Sequence, residues 1–299
     1  MKYKGVFPAF YACYDRDGNV SKERTKALAE YLMEKEVNGL YVCGSSGECI
    51  YQNVEERKTI LESVMEVCKG KLTVIAHIAA PSTRDSIELA KHAERLGVDA
   101  IAAIPPIYFR LPESSIYHYW MDMVEATNLD FIIYNIPQTT GYNLSVSLFE
   151  RMIAHPRVIG VKNSSMPVLD IEQFKAHGGK DCVIFNGPDE QFVAGRLMGA
   201  DAGIGGTYGA MPELFLKANE CIEKSDVKTA REIQTAINEI IMSMCSMKGN
   251  LYAVIKEILR LNGLDIGSVR APLEEVEHLE QDKVKAIWEK IRTAIAQFC

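Results

Sequence analysis

The stretch LGVDAIAAI (residues 96–104) holds the pattern that decides the fold. Leu89, Ala93 and Leu96 recur at spacings of four and seven, which places them on one face of a helix. Gly97 then stands where that helix should stop, because glycine tolerates the left-handed conformation that closes a helix. An apolar run, DAIAAI (99–104), follows at once and reads as a buried strand. The same junction recurs in VNGLYV (37–42) and MGADAGIGG (198–206).

Outward from these junctions, short apolar runs alternate with longer amphipathic ones. The strand-like runs are GVFPAF (5–10), GLYVCG (39–44), LTVIAHI (72–78), DAIAAI (99–104), FIIYNI (131–136), VIGVK (158–162), CVIFN (182–186) and DAGIGG (201–206). Eight βα units before about residue 225 predict an α/β fold, a (β/α)8 TIM barrel. A doubly wound sheet is the competing architecture, but the G-x-G-x-x-G fingerprint after the first strand is absent. Past residue 225 only helical stripes remain. Ile233, Ile237, Ile240 and Met244 line one helix, Leu251, Val254, Ile255 and Ile258 a second, and Val284, Ile287, Ile291 and Ile295 a third. The expected division is a barrel over 1–225 and a C-terminal helical region over 226–299.

Composition narrows the class of protein. The 299 residues are 47% hydrophobic and 24% charged, which is ordinary for a globular domain. A net charge of -7 with no basic stripe argues against nucleic acid as a partner. The eight cysteines include no C-x-x-C pair, and several sit in apolar patterns, which suits reduced thiols in a cytoplasm. The six histidines are scattered, and no H-E-x-x-H or Cys/His cluster has metal-ligand spacing. The N-terminal MKYKGVFPAFYAC lacks an adequate apolar core and is interrupted by Pro8, so a signal peptide is not expected. No apolar run approaches the roughly 20 residues that a membrane span requires. The expectation is a soluble cytoplasmic protein without a metal or a membrane partner.

In a β/α barrel, chemistry gathers where strands hand over to the following loops. The sixth run ends on Lys162, inside VIGVKNSS (158–165). Lysine is among the residues least often buried without a partner. Either it snorkels to water, or its amine is held in a sheltered place where burial disfavours the charged form and leaves a nucleophile for a ketone. Tyr134 follows FII in the neighbouring run and would shuttle protons, or else is an ordinary strand aromatic. Ser45 and Ser46, flanked by Gly44 and Gly47, read either as an anion clamp at a helix start or as simple N-caps. Asp189 and Glu190 follow Pro188, where they complement a helix dipole or accept hydrogen bonds from a polar substrate. Tyr108 and Thr207-Tyr208 belong to further rim loops, and convergence on that rim is expected. His77 and His155, which lack partner patterns, read as structural or surface residues.

The ordered set GSSGE (44–48), YNIP..TG (134–141), IGVKNSS (159–165), NGPDE (186–190) and GADAGIGGTY (199–208) resembles the pyruvate-dependent class I aldolases. That family includes N-acetylneuraminate lyase and dihydrodipicolinate synthase, and the resemblance runs over essentially the whole chain. It implies that Lys162 forms a Schiff base with pyruvate, that Tyr134 transfers protons, and that Ser45 and Ser46 bind the pyruvate carboxylate. It also implies that Tyr108 completes a neighbouring subunit's site in a homotetramer built as a dimer of dimers, with no cofactor.

Within the family, the synthase usually carries an arginine where this chain has Thr139, and threonines at Ser45 and Ser46. Loss of a bidentate carboxylate clamp is not a conservative change, so the synthase reaction ranks second. The NGPDE motif looks like that of the lyases, whose acidic pair binds the sugar's glycerol tail. By that likeness Ser164, Gly187, Asp189, Glu190 and Gly206 join the substrate-binding set. Two positions depart from the lyase pattern: Gly206 stands where lyases read serine in GIGSTY, and Pro188 stands where they have a tyrosine. The resemblance therefore implies a lyase that cleaves a 2-oxo-3-deoxy sugar acid, with N-acetylneuraminate the first choice of substrate. A barrel that merely binds a 2-oxo acid is the non-enzymatic alternative.

Overall fold

The computed structural model describes residues 2–299. Among them, eight parallel strands run in the order β1-β8-β7-β6-β5-β4-β3-β2. They are β1 (Gly5–Pro8), β2 (Gly39–Val42), β3 (Thr73–His77), β4 (Ala100–Ala103), β5 (Asp130–Asn135), β6 (Val158–Asn163), β7 (Val183–Asn186) and β8 (Ala202–Gly205). The two ends of the sheet meet through a parallel bridge between Ala9 and Tyr41, with the Phe10 amide donating to the Tyr41 carbonyl at 2.9 Å. The expected (β/α)8 barrel is the fold observed.

The helices on the outside of the barrel start on side-chain caps that the sequence supplies. Ser21 caps α1 (Lys22–Glu34), Ser82 caps α3 (Thr83–Leu96), and Asn53 with Glu56 forms a reciprocal capping box at α2 (Val54–Cys68). The remaining barrel helices are α4 (Glu113–Glu125), the single turn α5 (Pro137–Thr140), α6 (Val146–Ile153), α7 (Leu169–Gly178), α8 (Phe192–Leu197) and α9 (Pro212–Glu223). Gly97 closes α3 with φ +79°, and Gly199 lies at φ +110° before β8, as their junctions predict. The third junction works differently. Glu36, not glycine, takes the left-handed conformation after α1 (φ +57°), and Gly39 is the first residue of β2. A Cβ on Gly39 would lie 2.2 Å from the Phe7 ring, so glycine is needed there for close packing and not for the helix stop.

Three helices follow: α10 (Val227–Cys245), α11 (Leu251–Leu261) and α12 (Gln281–Phe298). Ile233, Ile237, Ile240 and Met244 of α10 are buried, as are Val254, Ile255 and Ile258 of α11 and Val284, Ile287 and Ile291 of α12. They share one continuous core with the barrel's outer helices. A second cluster fills the barrel interior, where Phe7, Tyr41, Ile75, Ile132, Tyr134, Phe185 and Ile204 meet. No helix of the described residues is long and apolar enough to cross a membrane.

Candidate active site

Lys162 lies on β6, in register with Tyr134 of β5 on one side and Phe185 of β7 on the other. Strand alternation therefore sends all three side chains to the same face, the barrel interior. Lys162 is 5% exposed, so it does not snorkel to water. Its Nζ stands 3.9 Å from the centre of the Tyr134 ring and 4.4 Å from that of Tyr41. Burial pushes its pKa down to about 7, although the Asp189 carboxylate and the Cys49 thiol pull the other way. The amine is therefore about half unprotonated at neutral pH, where an ordinary lysine is neutral in roughly one molecule in a thousand.

Tyr134 is equally enclosed. Burial raises its phenol to about 12, opposed by the hydroxyls of Ser45 and Ser164 beside it. Asparagines hold the strand ends that carry this pair. Asn135 donates to Asn163 Oδ1 at 2.8 Å and accepts from the Leu144 amide at 3.1 Å, while Asn163 reaches Ser165, which donates to Asp170 at 2.6 Å. The network locks β5 to β6 one residue beyond the reactive side chains.

Above them lies a cavity of about 310 Å³, a size suited to a small ligand. Lys162, Tyr134, Ser45, Ser46 and Ser164 line one part of it, and Gly187, Asp189, Glu190 and Gly206 complete it. Nine of the ten residues read from the sequence as site candidates thus meet in one place. The serines do not act as helix caps, since the turn Ser45–Gly47 has no side-chain cap, and Ser46 Oγ instead donates to the Tyr252 hydroxyl at 3.1 Å. A Cβ on Gly187 would lie 2.0 Å from Ser164 Oγ, so the bare glycine makes room for that hydroxyl. Asp189 does not simply complement a helix start either. Its Oδ2 accepts from the Thr207 amide and the Thr207 hydroxyl, both at 2.6 Å. Burial raises its carboxyl to about 6 against those two donors.

The tenth candidate is elsewhere. Tyr108 is 92% exposed, in left-handed backbone (φ +81°), with its ring edge-on to Phe109, and it does not line the cavity of its own chain. Convergence of Tyr108 on the rim is thus corrected within one subunit: the loop after β4 carries it outward. A different phenol, Tyr252, takes a place at the cavity from the first turn of α11. The helical stripe Leu251, Val254, Ile255 and Ile258 gave that helix its buried face, but no local pattern marks Tyr252 as a site residue. No local pattern marks Tyr41 or Cys49, which flank Lys162, as site residues either, whereas Thr207, expected on the rim, is there and holds Asp189. His77 is structural, its Nδ1 3.0 Å from the Cys43 carbonyl. A wider cleft of about 580 Å³ adjoins the cavity, bounded by Cys49, Ile50 and Tyr51 on one side and Ile104, Pro105 and Ile107 on the other, with Ser45 and Tyr252 common to both. Among the described residues no group of three or more His, Cys, Asp or Glu side chains is arranged to hold a metal ion.

Fold and cavity together define a (β/α)8-barrel protein with an amine-centred site at the C-terminal mouth of its strands. Its sequence matches the family model described as the dihydrodipicolinate synthetase family over residues 2–291, and the chain belongs to that family. It is 58% identical to an N-acetylneuraminate lyase of Mediterraneibacter gnavus, over 99% of this chain and 95% of the relative. It is 35% identical to N-acetylneuraminate lyase 2 of Escherichia coli, over 97% and 95% of the two chains. Among solved structures, the catalytic lysine mutant of Ruminococcus gnavus sialic acid aldolase superposes with a TM-score of 0.99 at 58% identity, covering 100% of this chain and 98% of that one.

Proposed function

We propose that this protein is a Schiff-base carbon–carbon lyase that cleaves N-acetylneuraminate to pyruvate and N-acetylmannosamine. The observation that carries the reading is the enclosed Lys162 amine, held near neutrality beside Tyr134. The relatives named above are lyases or aldolases of sialic acid, and the solved structure named above is that of the catalytic lysine mutant of one.

The chemistry follows from the positions. The unprotonated Lys162 attacks the ketone carbon of the 2-oxo acid, and loss of water leaves a protonated imine. Ser45 and Ser46 hold the adjacent carboxylate, which fixes the plane of the imine. Tyr134 accepts the proton of the C4 hydroxyl as the C3–C4 bond breaks, and the imine nitrogen takes up the bonding electrons to give an enamine. The sugar-derived half departs as an aldehyde. Protonation of the enamine at C3 and attack of water on the imine release pyruvate and restore the amine. Burial keeps Tyr134 protonated at neutral pH, so it acts as a relay: it takes the C4 proton as its own proton passes to the substrate carboxylate, and the hydroxyls of Ser45 and Ser164 steady the phenol oxygen during the exchange. Asp189 and Glu190 accept hydrogen bonds from the hydroxyls of the sugar-derived chain, Ser164 and the Gly187 backbone flank it, and Gly206 leaves it space.

The barrel of 1–225 supplies the reactive groups and the helical region of 226–299 closes the cavity. We place the enzyme in the cytoplasm, without a cofactor, as a homotetramer in which Tyr108 completes a neighbouring subunit's site. The synthase alternative is disfavoured because Thr139 offers no charge for a second carboxylate. Borohydride reduction in the presence of pyruvate tests the core of the proposal: a mass increase on Lys162 is expected, and its absence overturns the Schiff-base mechanism. Release of pyruvate from N-acetylneuraminate tests the substrate.

A further inference from the structure

Gly206 leaves the cavity wall bare just past β8, and Tyr252 of α11 packs beside it. A Cβ on Gly206 would stand 3.1 Å from Ser46 Oγ, 3.4 Å from the Tyr252 hydroxyl oxygen and 3.5 Å from Tyr252 Cε1. A Cβ at 206 would be tight only against Ser46 Oγ and would meet the Tyr252 ring at ordinary van der Waals distance, so Tyr252 lies directly beside the bare strand end. The ring is held from other directions. Asn250 caps the helix and accepts from the Tyr252 amide at 2.9 Å. The Tyr11 ring backs it at 6.3 Å between centroids, while the Tyr11 hydroxyl donates to the Gly206 carbonyl at 2.7 Å. A tyrosine fixed so firmly presents its hydroxyl at low entropic cost.

The hydrogen bonds of that hydroxyl are half used. Ser46 Oγ donates to it at 3.1 Å, and among the described residues no acceptor receives the phenol's own proton. Burial raises the Tyr252 pKa well above the ordinary tyrosine value, so the proton is retained. The polar groups on the acidic side of the cavity are of the opposite kind. Asp189 and Glu190 accept, and Asp189 Oδ2 is already engaged by Thr207. An alcohol both donates and accepts, so a polyhydroxylated chain in this cavity can give its protons to the carboxylates but also needs a donor for its oxygens. The phenol offers such a donor, beside the hydroxyls of Ser45 and Ser164 that line the same cavity.

We infer that Tyr252 is a specificity-determining residue, donating a hydrogen bond to a hydroxyl oxygen of the sugar-derived part of the substrate. The inference rests on the lyase reading above and assigns the C-terminal helix a direct part in choosing the substrate. Gly206 and Tyr252 are neighbours in the cavity wall, so the bare backbone of one and the hydroxyl of the other face the same ligand.

The test is Tyr252→Phe, which keeps the ring and its packing and removes only the donor. Three readouts separate the outcomes: borohydride trapping as a function of pyruvate concentration, kcat/KM for N-acetylneuraminate, and kcat/KM for 4-hydroxy-2-oxopentanoate, which lacks the polyhydroxylated tail. The inference expects an unchanged pyruvate concentration dependence, a loss of about tenfold to a hundredfold with N-acetylneuraminate, and no loss with the short acid, the size expected for one hydrogen bond to substrate. Equal loss on both acids, or weaker pyruvate trapping, overturns it, because Tyr252 would then act through Ser46 on the carboxylate end. Unchanged kinetics on both also overturns it and leaves only ring packing. Failure of the unsubstituted enzyme to trap pyruvate is a separate result that removes the lyase reading, and this inference with it.

Discussion

Lys256 Nζ lies 2.7 Å from Glu48 Oε1, and both side chains are completely enclosed. One belongs to α11 and the other ends the GSSGE turn that carries Ser45 and Ser46. The pair is well satisfied: Lys256 also donates to the Ser268 carbonyl at 2.7 Å, and Glu48 Oε2 accepts from the Arg270 amide at 2.9 Å. Glu48 holds left-handed backbone (φ +56°) to make the reach. The ion pair thus pins the serine turn to the C-terminal helices across 208 residues of chain.

Removing one partner leaves a buried, uncompensated charge. Lys256→Met should therefore cost about 3–5 kcal/mol of stability. The double change Lys256→Met with Glu48→Gln should recover much of that loss, because the carboxylate is then gone. Urea unfolding of the two variants checks both statements, and a double variant no more stable than the single one would contradict the second.

The depressed Lys162 amine sets the pH profile. The nucleophile is the unprotonated form, so Schiff-base formation with pyruvate should rise with pH around a midpoint near 7, not near 10.5. The rate of borohydride trapping from pH 5.5 to 9 measures the midpoint.

The same shift affects stability. A group whose folded pKa lies below its unfolded value contributes fully above the unfolded pKa and loses that contribution as pH falls towards the folded one. The window for Lys162 is therefore about 10.5 down to about 7. Lys162→Met should raise the thermal midpoint at pH 7 by about 5 °C, with the advantage shrinking as pH rises through that window. Scanning fluorimetry at pH 7 and pH 9.5 reads the difference, and the variant should be catalytically dead.

Tyr134→Phe separates imine formation from cleavage. The phenol's proton transfer should be worth about 10²–10⁴ in kcat, while pyruvate should still be trapped on Lys162. Loss of trapping by the same factor would show instead that the ring positions the amine.

Tyr108 is outside its own cavity, so the proposed catalytic role would require a neighbouring subunit. Tyr108→Phe and Lys162→Met subunits, each inactive or nearly so, should regain activity when unfolded together and refolded as mixed oligomers. No gain over the unmixed variants would remove Tyr108 from the catalytic set.

Much of the barrel was legible because its signals are local. Gly97 and Gly199 stop helices by their own backbone freedom, Ser21, Asn53 and Ser82 cap by their own side chains, and apolar runs become strands wherever both faces are buried. Gly39 shows the limit of that reasoning. Its meaning is a 2.2 Å conflict with Phe7, a residue 32 positions away, which no local pattern announces. Asp189 is similar: the motif placed it at the site, but its two bonds to Thr207 come from the next strand's loop.

The sequence by itself determined the order of strands and helices and placed a lysine near the end of β6, since periodicity and strand-end position carry that information. Only the tertiary structure decided that Tyr108 leaves the cavity, that Tyr252 enters it, and that Glu48 is tied to Lys256. Those outcomes depend on which surfaces meet when the C-terminal helices pack against the barrel. A buried charge finds its counter-ion, and a bare glycine finds the ring that covers it, only when the chain is closed.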